Sequence, residues 1–392
     1  MEKEYLYWLC CLPCLGPVSI RKLYEYFQSF EAIYNIEETA LEKAGILRKV
    51  QKDALMRWRD KFLSCQQEYQ EIEKKGIRFV TPLDIDYPQR LLEIYDYPMG
   101  IFVKGRLPKE EIPTVAIVGA RGCSAYGEQL AEEFARALAA QQVQVISGLA
   151  IGIDGAAHRG AIQAEGTTFG VLGCGVDICY PASNYSLYEK MGYTGGILSE
   201  FPIKSRPQSW HFPMRNRIIS GLADIVLVVE ARERSGSLIT AEMGLEQGKE
   251  IFAIPGRVTD HLSRGCNLLI QQGAHMAISP NDILEYLGVK YRKELILHEK
   301  TINGLAKNEK MVYSCLDFKP KHLDDIMADC GLGIGECISI LLELELGGYV
   351  FRSANHYYGK TVKCRSNHGE ESGYCGVTGK SKNHTQIPGN QL

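Results

Sequence analysis

Short apolar runs alternate with amphipathic helical patterns from about residue 78 to residue 290, and this alternation constrains the fold more than any other feature. The runs are too short for buried helices and are typical of buried parallel strands. Helical patterns between them, such as residues 128–140, give the repeating unit of an α/β fold with a doubly wound, mainly parallel sheet. The predicted strands are Val115–Val118, Val143–Ile146, Phe169–Leu172, Ile225–Val229 and Ile251–Ile254.

Other patterns flank this α/β domain, which we place at residues 78–288. Residues 1–75 carry helical patterns joined by Gly-bearing turns and predict a helical module. Residues 289–309 are charged and typical of a linker. Residues 310–363 carry three helical patterns and a hairpin pattern, which predict a winged helix-turn-helix. Residues 364–392 contain few core-forming side chains and predict a disordered tail.

Composition excludes several classes of protein. With 44 Lys and Arg against 47 Asp and Glu, the net charge of −3 excludes a polycation, so a site for a polyanion must be a local cluster. The 13 cysteines are scattered and odd in number, which argues against a secreted disulfide framework. We find no basic signal-peptide region and no apolar run of the ~18 residues that a membrane span needs. The chain is therefore predicted to be cytoplasmic.

The first candidate anion-binding loop follows the strand at Val115–Val118 and contains Gly119, Arg121 and Ser124. Backbone N–H groups and a helix start at the carboxyl end of a parallel sheet favour anions, and a guanidinium group suits phosphate oxygens. The loop lacks the G-x-G-x-x-G pattern of a dinucleotide site. Residues 172–177 carry half of that pattern, for which a tight strand-to-helix turn is an equally good interpretation.

Two further strands end in similar loops. Ser147 and Gly148 follow one strand, and Ser237 lies in a run of small residues and hydroxyls at 235–242. Because carboxyl ends of parallel strands meet at one edge of a sheet, these loops together predict an anion site. For Asp154, which precedes a helical pattern, we favour helix N-capping over catalysis.

Metal-ligand spacing is weak throughout the sequence. His158 has no second ligand at a suitable spacing, so a structural role is favoured. Cys11 and Cys14 form a C-x-x-C pair in a helical region without a second pair, which favours core thiols over zinc or redox chemistry. We expect no metal and no cofactor.

Basic and aromatic residues interleave over residues 199–217. Trp210 and Phe212 offer aromatic faces, and Arg215 and Arg217 lie at the predicted start of the next helix. This is the combination that single-stranded nucleic acid needs, with cations for phosphates and aromatic faces for unstacked bases. A lid that packs its aromatic residues on the sheet is the alternative. It leaves the arginines unexplained, because cations at a helix start oppose the helix dipole unless an anion is present.

These segments together resemble the DNA processing protein A family, also called Smf. The similarity spans essentially all of residues 110–280, in order. The matching segments are VAIVGARGCSAYG at 115–127, SGLAIGIDGAAHRGAI at 147–162, LGCGVDICYP at 172–181, SEFP at 199–202, FPMRNRIISGLADIVLVVEA at 212–231, SGSLITAEMGLEQGKEIFAIPG at 235–256 and GCNLLIQQGA at 265–274.

The resemblance implies an extended Rossmann-like domain that binds single-stranded DNA and helps to load the RecA recombinase during natural transformation. It implies a homodimer without enzymatic activity, with residues 262–278 matching the stretch where the family dimerises and meets RecA. Arg121 matches the family's phosphate-contacting arginine, although Ala120 replaces the usual serine. The residues predicted to bind DNA are Gly119, Arg121, Ser124, Ser147, Gly148, Lys204, Arg215, Asn216, Arg217 and Ser237.

The flanking units also resemble parts of family members. Residues 12–16 are similar to the turn of a SAM- or helix-hairpin-helix-like module, but Cys14 replaces the usual glycine, so DNA binding there is not favoured. The predicted recognition helix of the winged-helix domain carries Glu336, Glu343 and Glu345 and would be repelled by a duplex. We favour a protein-contact or structural role for it.

An enzyme is the alternative function. The turn at residues 235–240 resembles, distantly, the nucleotide-binding turn of nucleoside-monophosphate phosphoribohydrolases, which share a related fold. Glu242 would then serve as the acid. Residues 235–240 lack the Pro-Gly-Gly-x-Gly-Thr core of those enzymes, so binding is favoured over catalysis.

Overall fold

The structure, a computed structural model, divides the chain into two compact units, of which the first ends at Leu297 and the second begins at His298. Residues 290–305 of the predicted linker and the whole predicted tail, residues 364–392, lie outside the described residues. The structure describes residues 2–289, 306–317, 320–347, 349–353 and 356–360.

Helices form the beginning of the first unit, and aromatic side chains hold them together. Trp8 and Tyr7 are fully buried, and the Trp8 ring lies edge-on to Tyr34 at a centroid distance of 5.3 Å. Tyr7 also contacts Phe79 and Phe102 of the sheet, so the helices share one core with the sheet. The helices are α1 (Glu2–Cys11), α2 (Pro17–Phe27), α3 (Phe30–Asn35), α4 (Glu38–Ala44), α5 (Lys49–Trp58) and α6 (Phe62–Lys74).

The centre of the first unit is a nine-stranded sheet. Its strands are β1 (Ile77–Val80), β2 (Ile101–Gly105), β3 (Thr114–Val118), β4 (Gln144–Ser147), β5 (Thr168–Val171), β6 (Gly196–Ser199), β7 (Ile225–Val228), β8 (Glu250–Ala253) and β9 (His275–Met276). The order is β1-β2-β6-β5-β4-β3-β7-β8-β9. Strands β1 and β2 pair antiparallel with their neighbours at one edge, and the others pair in parallel.

This order confirms the predicted doubly wound, Rossmann-like sheet. The chain runs from β3 outward to β6 and then returns to the other side of β3 with β7. The direction of winding therefore reverses between β3 and β7. At such a switch point the loops after neighbouring strands lead to opposite faces of the sheet and leave a crevice at its carboxyl edge.

Helices cover both faces of the sheet, and the side chains of each strand alternate between them. On β3, Val115 and Ile117 pack on one face with helices α8 and α9, defined below. Ala116 and Val118 pack on the other face with α11 and α12. The helices of this region are α7 (Gln89–Leu92), α8 (Ala125–Ala140), α9 (Ile153–Gln163), α10 (Tyr185–Thr194), α11 (His211–Leu222), α12 (Gly236–Glu246), α13 (Arg264–Gln271) and α14 (Pro280–Tyr286).

The second unit is a winged-helix domain, as predicted. Its helices and strands are α15 (Lys307–Cys315), β10 (Lys321–His322), α16 (Leu323–Cys330), α17 (Ile334–Leu346), β11 (Val350–Ser353) and β12 (Tyr357–Lys360). The strands form a small antiparallel sheet in the order β10-β12-β11. Val312, Ile326 and Leu341 are fully buried in its core, one from each helix.

Candidate functional site

A pocket of about 520 Å³ opens at the carboxyl edge of the sheet, at the switch point between β3 and β7. Gly119 and Arg121 after β3, Asp154 after β4 and Ser237 at the start of α12 all line it. Helix α11 supplies a further wall. Three of the loops that the sequence singled out as anion-binding therefore meet at one cavity.

A cation and aromatic rings lie side by side in this pocket. The guanidinium group of Arg121, an exposed residue, lies 4.9 Å from the centroid of the Phe212 ring. The ring of Tyr180, which also lines the pocket, lies 5.8 Å from Phe212 and is 43% exposed. An arginine can bind phosphate oxygens through two N–H groups, and an aromatic face can stack on a base. The pocket thus combines both contacts.

Arg215 is a buried cation in the wall of the pocket. Its Nη1 donates hydrogen bonds to the carbonyl oxygens of Gly148, at 2.8 Å, and Val171. Burial lowers the pKa of Arg215 to about 10, so the side chain stays charged at neutral pH. A Cβ at position 148 would lie 2.5 Å from this guanidinium group, so a larger residue there would displace the Arg215 side chain. Arg215 therefore holds the loops after β4 and β5 together and places a positive charge beside the cavity.

Asp154 is close enough to Arg215 to interact with its charge. It is not the helix N-cap that the sequence predicted. Helix α9 has Gly152 as its N-cap, and Asp154 lies within the first turn. Its carboxylate accepts hydrogen bonds from the backbone N–H groups of Gly148, at 3.1 Å, and Ala150, at 3.4 Å. Burial raises the pKa of Asp154, while the charge of Arg215 opposes this shift. Asp154 thus fixes the loop that precedes α9, and the N-cap prediction was wrong.

Asn216 and Ser237, which the sequence predicted to bind DNA, both line the pocket. Each side chain already has a hydrogen-bond partner within the protein. The Asn216 side chain accepts a hydrogen bond from Arg215 Nε at 3.2 Å and donates to the Gly236 carbonyl oxygen at 3.4 Å. Ser237 Oγ lies 2.8 Å from Ser235 Oγ. These contacts order the side chains at the start of α12.

Ser124 lies outside this pocket. Its Oγ donates to a carboxylate oxygen of Glu230 at 2.5 Å, and its backbone N–H donates to the other at 2.8 Å. Its Oγ also accepts from Gly127 N, as the N-cap of α8. The start of α8 is therefore already neutralised by an internal carboxylate, which contradicts the expectation of an open anion site at Ser124.

Arg217 also lies outside the pocket, contrary to the prediction that it contacts DNA. Its side chain is 4% exposed and pairs with Glu200 at 2.7 Å and with Asp96 at 3.0 Å. Burial raises the pKa of Glu200, and the charge of Arg217 counters that shift. Arg217 is thus part of an internal ion-pair cluster.

Ser147 and Lys204 do not line the pocket either. Ser147 is fully buried, and its Oγ donates to the Ile117 carbonyl oxygen at 2.6 Å, which joins β4 to β3. Lys204 is exposed, and its Nζ lies 3.2 Å from a carboxylate oxygen of Glu68 on α6. The predicted DNA-binding set therefore divides into residues that line the cavity and residues that lie away from it.

Comparisons with known proteins identify the family. A family model described as DNA recombination-mediator protein A matches residues 78–288, which is more than half of the chain. Protein Smf from Synechocystis sp. is 32% identical over 395 residues, which cover 91% of this chain and 99% of that protein. The chain belongs to the DNA recombination-mediator protein A family.

Further similarities agree with this membership. DNA processing protein DprA from Streptococcus pneumoniae is 47% identical over 202 residues, covering 52% of this chain and 71% of that protein. The X-ray structure of DNA processing protein A from the same species has a TM-score of 0.63 and 36% identity, and covers 74% of this chain and 97% of that one. A model described as DprA winged helix domain matches residues 298–356. The family resemblance seen in the sequence is confirmed.

In this member of the DNA recombination-mediator protein A family, the structure adds two arginines that sequence analysis missed. A second cavity of about 320 Å³ is lined by Arg232, Arg234 and Gly236, and also by Arg121, which lines the first cavity. Within the described ranges, Arg121, Arg232 and Arg234 form no ion pair. The signal was present, because both arginines follow the predicted strand at 225–229 and precede the small residues at 235–237.

The residues considered for metal binding or redox chemistry differ in their surroundings. His158 is fully buried, its Nδ1 lies 2.7 Å from Thr168 Oγ1, and burial lowers the pKa of His158 to about 3, so the ring is neutral. Cys11 is half-buried beside Cys65, whereas Cys14 is exposed. Among the described residues, no group of three or more His, Cys, Asp or Glu side chains could hold a metal ion. None of the described helices has the length and apolar character to cross a membrane.

Proposed function

We propose that the chain binds single-stranded DNA at the pocket beside the switch point and acts without catalysis as a recombination mediator that promotes the loading of RecA. The observation that carries this proposal is the exposed guanidinium group of Arg121 over the Phe212 ring, in an open pocket whose wall contains the charge of Arg215. The description of the matching family as a recombination mediator supports the proposed role in RecA loading. Homologous recombination and natural transformation are the processes this activity serves.

The shape of the pocket favours a single strand over a duplex. A cavity of about 520 Å³ in a crevice is large enough for unstacked bases and their phosphates, whereas the bases of a duplex are stacked on one another and offer no free face to the aromatic rings. In the winged-helix unit, α17 carries Glu336, Glu343 and Glu345 and no Lys or Arg. Reading of a duplex groove by that helix is therefore not favoured.

The geometry does not favour the phosphoribohydrolase alternative. Glu242, the acid that this activity would need, is exposed on α12 and is not among the residues that line the pocket. Asp154, which does line the pocket, already accepts two backbone hydrogen bonds. Incubation of the purified protein with nucleoside monophosphates should release no free base. If the wild-type protein releases free base and Asp154→Asn does not, the result would support the phosphoribohydrolase alternative instead.

We further infer a cytoplasmic homodimer. The stretch at 262–278, expected from the family resemblance to mediate dimerisation, contains apolar side chains that are exposed in the single chain. Leu268 is 39%, Met276 49% and Ile278 72% exposed. Light scattering should give twice the mass of the chain, and Ile278→Asp should lower it to that of one chain.

Titration of labelled oligonucleotides tests the proposed function. Single-stranded and blunt duplex oligonucleotides of equal length are titrated at several salt concentrations. We expect much tighter binding of the single strand, with little dependence on base sequence, and an affinity that falls with salt as phosphate contacts are screened. Equal affinity for the duplex would contradict the proposal.

A further inference from the structure

Helix α17 of the winged-helix unit carries apolar side chains on two different faces. Its inner face, formed by Cys337, Ile340, Leu341 and Leu344, is buried in the core of the unit. A second row of aliphatic side chains points away from that core. These residues, which we call the outer stripe, are Ile334, Ile338, Leu342 and Leu346, and they are 58%, 41%, 53% and 70% exposed.

The outer stripe is continuous along the helix. Its members recur every fourth residue, so each lies about one turn beyond the previous one, and the row spans roughly 18 Å at a rise of about 1.5 Å per residue. A helix that packs on a core by one face normally carries polar residues on the other. Contiguous exposed apolar surface of this kind marks a site of interaction.

Small residues lie beside the stripe. At about 100° per residue, Gly335 and Ser339 project on the same side of α17 as Ile338 and Leu342. A Cβ at Gly335 would meet no atom within 4 Å, so the fold itself does not require a glycine there. The missing side chain lets the backbone of a partner approach α17 closely.

Charge around the stripe restricts what can cover it. Glu336, Glu343 and Glu345 lie on α17, which contains no Lys or Arg. This charge repels the phosphates of a duplex and the head groups of an anionic membrane. A second copy of α17 would bring like charges together across the contact. A partner with positive charges next to an apolar surface satisfies both features.

We infer that the outer stripe is the docking site for an amphipathic helix of another protein, one that carries Lys or Arg beside its apolar face. Aliphatic side chains of the partner, spaced three and four residues apart, pack between Ile334, Ile338, Leu342 and Leu346. The Lys or Arg side chains of the partner lie against the glutamates of α17. This pairing fixes the orientation of the partner helix and prevents acidic helices from binding. The position that in other winged helices faces DNA is, in this chain, a protein-binding surface.

Two synthetic peptides test this inference on the full-length chain. Both are amphipathic helices with leucine at three- and four-residue spacing, one with lysine flanks and the other with glutamate flanks. Fluorescence anisotropy should show binding of the lysine peptide, weakened by salt, and at least about tenfold weaker binding of the glutamate peptide. Equal binding of the two peptides would overturn the charge argument.

Variants separate the stripe from other surfaces. Ile338→Ser combined with Leu342→Ser should weaken lysine-peptide binding about tenfold or more, whereas Leu245→Ser, at a 58% exposed leucine on α12, should not. Glu343→Lys combined with Glu345→Lys should reverse the preference in favour of the glutamate peptide. This result tests the charge of α17 independently of the serine variants, which test its apolar stripe. Unchanged binding in both sets of variants would overturn the proposal. A lower oligomeric mass of the serine variant in light scattering would assign the stripe to a second copy instead.

Discussion

Arg215 and Arg217 differ by two positions in one helix and have different roles. Two residues correspond to a rotation of about 200° around a helix axis, so the side chains leave α11 on opposite sides. Arg215 lines the pocket, and Arg217 reaches Glu200 and Asp96. The sequence predicted DNA contacts for both. It could not separate them, because the rotation of α11 is set by its packing on the sheet, which involves residues far apart in the chain.

Replacement of Arg217 should therefore affect stability and leave the DNA contact intact. In Arg217→Ala the buried Glu200 carboxylate is left without its partner, and removal of one member of a buried ion pair costs about 3 kcal/mol of unfolding free energy. Denaturant unfolding should show this decrease. At a temperature where the variant is folded, its affinity for single-stranded DNA and the salt dependence should equal those of the wild type. A reduced salt slope at unchanged stability would place Arg217 in the DNA site.

His158 makes stability depend on pH. The pKa of His158 is lowered by burial from 6.5 to about 3, so between these values the unfolded chain binds a proton that the folded chain does not. Stability therefore falls as the pH decreases through this window, by up to about 1.4 kcal/mol per pH unit. His158→Asn removes the titrating ring and can keep a hydrogen bond to Thr168 Oγ1. Unfolding curves from pH 7 to pH 4 should show a smaller pH slope for the variant, and parallel slopes would contradict this account.

At the scale of elements, five of the nine strands of the sheet were predicted from the sequence. Each of the five apolar runs overlaps a strand of the sheet, because strands buried on both faces are mostly apolar. Strands β1, β2, β6 and β9 were missed. β6, although buried, has only two apolar residues between a glycine and a serine, and β9 is only two residues long. β1 alternates buried Ile77 with exposed Arg78, and β2 ends in Lys104 and Gly105, so neither has the continuous apolar pattern.

The candidate site was predicted in position but not in detail. Loops that follow parallel strands must meet at the carboxyl edge, so Gly119, Arg121 and Ser237 could be grouped from the sequence. The neutralisation of the start of α8 by Glu230 could not be predicted, because Glu230 lies 106 residues beyond Ser124. Such long-range contacts decide which helix start remains open to a ligand.

The loop between β7 and α12 should contribute to DNA binding through Arg232 and Arg234. Both are exposed and line the cavity that also contains Arg121. Arg232→Ala with Arg234→Ala should weaken single-strand binding and reduce the slope of log affinity against log salt by roughly 0.7 for each phosphate that the variant no longer binds. Thermal unfolding should be unchanged, because neither side chain is buried. A slope equal to that of the wild type would restrict the site to the first cavity.

At the scale of the whole molecule, the two units should separate two functions. The proposed DNA-binding pocket lies entirely in the first unit, and the acidic α17 lies in the second. A chain truncated after Gly288 should keep most of its affinity for short single strands, because one site is sufficient for them. Circular dichroism establishes that the truncated chain is folded, and fluorescence anisotropy measures its affinity. A folded truncated chain that binds no oligonucleotide would make the winged-helix unit the DNA reader.

In the proposed function, Arg121 contacts the phosphates of a single strand at the switch-point pocket. The salt dependence of DNA binding by Arg121→Ala is the most direct test of this contact. The slope of log affinity against log salt should decrease in magnitude by roughly 0.7 for the one phosphate that the variant no longer binds, together with a fall in affinity. Arg78→Ala is the matched control, because Arg78 is an exposed arginine on edge strand β1 that does not line the pocket. It should leave both quantities unchanged. Unchanged affinity and slope in a well-folded Arg121→Ala protein would contradict the account.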